Sequence, residues 1–77
     1  MMNFSQVSRL KSIQEKPWRG MLNYFRTMKA DWDALEALGY VTPRLVSTDN
    51  YVETWEYTIT EAGREALEEI KRQIKHG

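Results

Sequence analysis

Apolar residues recur along this chain with two different periods, and the changes of period mark its elements. Val7, Leu10 and Ile13 stand three apart, which keeps them on one face of a helix. Asn3 or Ser5 precedes them as a candidate N-cap, with Gln6 at capping-box spacing from Asn3 and Phe4 as a candidate staple. Pro17 ends that segment, because the residue before a proline is pushed out of helical geometry. Trp18, Met21, Leu22 and Phe25 then fall at i, i+3, i+4 and i+7, which predicts a second helix opened by Pro17, with Gly20 in its first turn. Met28, Trp32, Leu35 and Leu38 form a third stripe, running from an N-cap at Thr27 to a left-handed stop at Gly39.

Beyond Gly39 the period shortens to two. Val41 to Thr48 reads as an edge strand, since Pro43 cannot donate to a ladder on both sides. Asp49-Asn50 signals a turn. Tyr51, Trp55, Tyr57 and Ile59 alternate with Thr54, Glu56 and Thr58, and Glu53 is the one charge out of pattern. A lone hairpin of this kind needs a helix beneath it. Thr60 caps a last helix whose stripe is Gly63, Leu67, Ile70 and Ile74. The prediction is an α+β fold of three N-terminal helices, a two-stranded hairpin and a C-terminal helix. Trp18, Phe25, Trp32, Leu35, Trp55, Tyr57, Leu67 and Ile70 are its expected core.

With 77 residues, the chain is expected to form a single domain over 1–77 that buries only roughly 60% of its unfolded surface. It contains no cysteine, which excludes disulfides, thiolate nucleophiles and Cys-based zinc sites. No apolar run approaches the ~18 residues of a membrane span, and the first residues lack the apolar core of a signal peptide. A cytoplasmic location with no membrane contact is the resulting expectation. Net charge is zero, from eleven basic and eleven acidic side chains, but it is unevenly placed. Residues 1–26 hold Arg9, Lys11, Lys16, Arg19 and Arg26 against Glu15 alone, a net of +4, and the remainder carries −4. Such asymmetry turns the basic end toward an anionic partner, unless these are ordinary solvated faces.

At WDALEALGYV and YTITEAGREAL the chain resembles winged helix-turn-helix regulators of the MarR and PadR kind. The matching residues are Trp32, Leu35, Gly39, Tyr40 and Val41, then Tyr57, Ile59, Thr60, Gly63 and Leu67. The resemblance covers about residues 18–72, and each of these residues has a structural role in core or cap. It implies that the third helix enters a DNA major groove while the wing touches the backbone. Helix N-terminal residues would then read bases: Met28, Lys29, Ala30 and Asp31, with Asp33 and Ala34 behind them. That helix sets Lys29 against Asp31, Asp33 and Glu36, and the hairpin sets Arg44 against Asp49, Glu53 and Glu56. Carboxylates near phosphate weaken the counterion release that drives binding.

Two functions follow. The leading one is a small DNA-binding protein, a transcriptional regulator that meets phosphate through Arg9, Lys11, Lys16, Arg19, Arg26 and Lys29, with homodimer formation through the last helix as an option. The alternative is a winged-helix protein-protein interaction module, for example a phage-encoded inhibitor that docks on a host complex through an acidic face of Asp31, Asp33 and Glu36. An enzyme is not expected. The single His76 is the penultimate residue, no Gly-rich phosphate loop is present, and Asp31 and Asp33 at i, i+2 diverge by about 200°. No catalytic residue, cofactor or metal is assigned.

Overall fold

The computed structural model describes residues 2–21, 26–49 and 52–76, leaving aside the side chains of residues 26, 27 and 74–76. Among them the chain is α+β, with three helices and a three-stranded antiparallel sheet. In chain order these are α1 (Phe4–Ser12), β1 (Trp18–Gly20), α2 (Arg26–Ala37), β2 (Val41–Ser47), β3 (Thr54–Ile59) and α3 (Glu61–His76).

Helix α1 opens on the capping box read from the sequence: Gln6 N donates to Asn3 Oδ1, and Asn3 N donates to Gln6 Oε1. It stops at Ser12, five residues before Pro17, with Ile13 as its C-cap. Phe4 is 89% exposed and staples nothing, whereas Leu10 and Ile13 are buried.

The segment after Pro17 departs from expectation. Trp18–Gly20 is a strand, pairing Trp18 with Tyr57, Arg19 with Glu56 and Gly20 with Trp55. Three residues are too few for alternation to declare itself. The spacing that suggested a helix depended on Met21, which is exposed, and on Leu22 and Phe25, which lie outside the described residues. The hairpin therefore becomes a three-stranded sheet in the order β1-β3-β2. Pro43 keeps its predicted place on an edge strand, opposite Tyr57. Asn50 and Tyr51 of the expected turn and strand also lie outside the described residues.

Helix α2 already includes Arg26, so Thr27 lies within it. Its end is a Schellman closure. Gly39 adopts φ 79°, Tyr40 N donates to the Leu35 carbonyl and Gly39 N to that of Glu36. Leu38 falls off the stripe and is exposed. Thr60 ties this end to the next helix: its Oγ1 donates to the Gly39 carbonyl at 2.7 Å and accepts from Gly63 N at 3.1 Å. Its own N–H reaches the Tyr40 carbonyl. A Cβ at Gly63 would collide with that same Tyr40 oxygen, which is why glycine stands there.

The core joins Leu10, Ile13, Trp32, Leu35, Val41, Tyr57, Ile59 and Leu67. Trp18 and Trp55 pack partly buried against it, and Ile70 is half-buried. No helix among the described residues is long and apolar enough to cross a membrane.

Candidate functional site

The alternation of β3 sends neighbouring residues to opposite sides of the sheet, and the two sides carry different chemistry. On the inner side, Tyr57 stacks on Trp32 at 4.6 Å and 14°, with Trp18 tilted against both. On the outer side, Arg19, Glu56 and Arg44 stand in one row across the three strands. Glu56 accepts from Arg19 Nε at 2.6 Å and from Arg44 Nη2 at 3.0 Å. The Arg19 hydrogen bond, with the charge of Arg44 added, outweighs partial burial and holds the Glu56 carboxyl below its ordinary value. Lys16, Pro17, Arg19 and Glu56 line a depression beside this row.

A second depression, of about 320 Å³, separates α2 from the inner edge of the sheet. Helix α2 contributes Lys29, Asp33 and Glu36, at i, i+4 and i+7 along one stripe, and the sheet contributes Pro43, Trp55 and Tyr57. Glu53 stands at its hairpin end and accepts from Trp55 Nε1 at 3.1 Å. Lys29 Nζ is held by Asp33 at 2.8 Å, which raises the Lys29 pKa. Tyr57 is pushed up to about 12, by burial first and then by the negative charges of Asp33 and Glu36. The groove is therefore acidic and floored by aromatic rings.

The expected site residues are dispersed between these surfaces. Arg9 turns inward to Asp31, Nε to Oδ2 at 2.7 Å, and Ser5 Oγ donates to the same oxygen at 2.6 Å. Burial works to raise the Asp31 pKa, but these hydrogen bonds and the Arg9 charge outweigh it and leave it lowered. Asp31 thus ties α2 to α1 and belongs to neither depression, while Asp33 and Glu36 share the groove. Lys11 and Lys16 are exposed, and the side chain of Arg26 lies outside the described residues. Arg19 and Lys29 are each engaged by a carboxylate. The sequence reading did not single out Arg44, Glu53, Trp55 and Tyr57 as site residues. Glu53 had a signal, as the one charge breaking the hairpin alternation; Arg44 had none, because its partners depend on register. Among the described residues no cluster of His, Cys, Asp or Glu is arranged to hold a metal.

No protein-family model, curated protein or solved structure matches this chain.

Proposed function

We propose that this chain is a winged-helix domain of the MarR/PadR kind whose helix-and-wing surface binds protein rather than duplex DNA. The fold part of this reading is supported by the order of its closing elements: a helix stopped by Gly39, the β2–β3 hairpin and the Thr60-capped α3. One observation carries the functional part. The stripe of α2 that faces the hairpin is acidic, with Lys29 already neutralised by Asp33 and with Glu36 and Glu53 completing the rim. A duplex laid there meets like charge, and no counterions are released by carboxylates.

Fluorescence anisotropy with a labelled random duplex, at low and near-physiological salt, tests the reading. The expected result is no binding at either salt. Non-specific affinity of roughly 10⁻⁴–10⁻⁶ M that falls steeply with salt would overturn it.

A DNA-binding regulator is the second reading, favoured by the outer face of the sheet. Two guanidiniums there share one carboxylate beside Lys16, leaving cationic charge in excess. If duplex does bind, Arg19→Glu and Arg44→Glu should each weaken it, and each should reduce the salt slope by about one.

A further inference from the structure

The geometry points to the groove between α2 and the sheet as a receptor for an arginine side chain, presented by a basic segment of a partner protein. This deepens the protein-binding reading and rests on it. Three independent features of the groove converge on that occupant.

The first is charge. Asp33, Glu36 and Glu53 face Lys29 alone, a net of −2 within one concavity. A concave surface of one sign focuses its field outward and raises the local concentration of the opposite charge. Lys29 is consumed by Asp33, while the Glu36 carboxylate makes no ion pair or hydrogen bond among the described residues. An acceptor therefore stands open at the α2 wall.

The second is the aromatic surface. Trp55 is half-buried in the floor, and its indole is oriented by the bond from Nε1 to Glu53. A cation above an indole face is attracted by the ring quadrupole, the more so when desolvated. Arginine suits this better than lysine, because its planar guanidinium stacks on a ring while its edge still presents donors to carboxylates.

The third is size. A groove of about 320 Å³ lies at the small end of the ~300–1,000 Å³ of ligand clefts. That has room for a guanidinium and its stem, and the wall of α2 and the floor of the sheet contact such a side chain together.

The test follows the tryptophan indole N–H resonances in ¹⁵N-labelled protein, with the Trp55 signal assigned by Trp55→Phe. The probes are three blocked tripeptides: acetyl-Gly-Arg-Gly-amide, its lysine counterpart, and its citrulline counterpart, which has nearly the shape of arginine without the charge. The arginine peptide should shift the Trp55 signal saturably at near-physiological salt, the lysine peptide should act more weakly, and citrulline should leave it in place. The double variant Glu36→Gln, Glu53→Gln alters two exposed side chains, so its spectrum should otherwise be that of the folded protein. Its affinity for the arginine peptide should fall at least about fivefold, close to 1 kcal/mol.

Equal shifts from citrulline would overturn the proposal, as would shifts spread over the surface that vanish with salt. Movement of the same resonances on concentrating the protein alone would also overturn it, since a second copy then fills the groove. Duplex anisotropy reads the parent hypothesis separately. An arginine peptide that fails beside a duplex that does not bind sinks the groove assignment alone. A duplex that binds sinks the protein-binding reading, whatever the peptides do.

Discussion

Trp32 shows how much one side chain holds here. It is 1% exposed, stacked on Tyr57 and touching Trp18, so three elements meet on its indole. Such aromatic pairs add roughly 0.5–1.5 kcal/mol beyond their buried area. Trp32→Ala should cost about 3–5 kcal/mol, read as a lowered urea midpoint at unchanged slope; a loss under about 1 kcal/mol would remove Trp32 from the core. Its Nε1 is buried with no hydrogen-bond partner among the described residues. Trp32→Phe keeps an aromatic ring and deletes that orphan donor, so it should cost clearly less than Ala.

Tyr57 makes the alkaline prediction at the same scale. Its phenol rises from 10.0 to about 12 on folding, so between those values the folded protein holds a proton that the unfolded chain has lost. The stability this contributes is full below pH 10 and disappears as pH rises to 12. In an ultraviolet titration a phenol should ionise late, at about pH 12, and Tyr57→Phe should remove that late step together with part of the alkaline loss of stability.

The junction of α2 with α3 is the clearest case at the scale of the element. Gly39 and Thr60 do not act separately: the Gly39 carbonyl accepts from the Thr60 hydroxyl. Gly63 brings α3 onto the Tyr40 carbonyl closely enough that no Cβ fits. Gly63→Ala should therefore destabilise by about 1–3 kcal/mol, the usual cost of overpacking, although alanine is the better helix former. A neutral or stabilising effect in thermal melts would show that the two elements separate easily.

β1 is the element that sequence reading missed. Trp18–Gly20 has almost no propensity signature of its own, and Gly20 weakens a strand as readily as a helix. What makes it a strand is the open edge of β3, which offers unpaired backbone groups to any extended segment beside it. Pro17 favours extended chain just before it, and the Trp18 indole folds back over Gly20, where a Cβ would meet the ring.

At the scale of the whole molecule, several of the described charges form internal tethers rather than one patch. Arg9–Asp31 joins α1 to α2, while Arg19–Glu56–Arg44 crosses the sheet. Asp31 and Glu56 both have lowered pKa values in the fold. Their contribution is therefore present above the ordinary values of 3.8 and 4.5 and is lost as pH falls through and below them. The urea midpoint should drop between pH 5 and about pH 2, and Asp31→Asn with Glu56→Gln should flatten that drop. An unflattened profile would place the acid sensitivity in other carboxylates.

The groove belongs to this largest scale, since it exists only where α2 and the sheet stand side by side. Its α2 stripe of Lys29, Asp33 and Glu36 was legible as spacing, and Glu53 as an exception to alternation. Their meeting with Trp55 and Tyr57 was not, because sequence separation says nothing about which helix face a sheet edge approaches. Likewise, Arg9 and Asp31 read as members of opposing charged surfaces, yet each satisfies the other. Partnering lowers the cost of partial burial, and no local pattern records it.

By itself the sequence determined the elements whose causes are local. The Asn3 capping box, the Gly39 stop, the edge position of Pro43 and the Thr60 cap each depend on residues within a turn of one another. The stripe residues Leu10, Ile13, Trp32, Leu35 and Leu67 were legible too, because periodicity is a property of neighbours, whereas Leu38 at the end of its stripe is exposed. Only the tertiary structure decided that Trp18–Gly20 is a strand, that Arg9, Arg19, Lys29 and Arg44 are each engaged by a carboxylate, and that an acidic aromatic groove lies between α2 and the sheet. Each of those is a pairing between distant segments, selected by which backbone edges and charges the collapse of the core brought into contact.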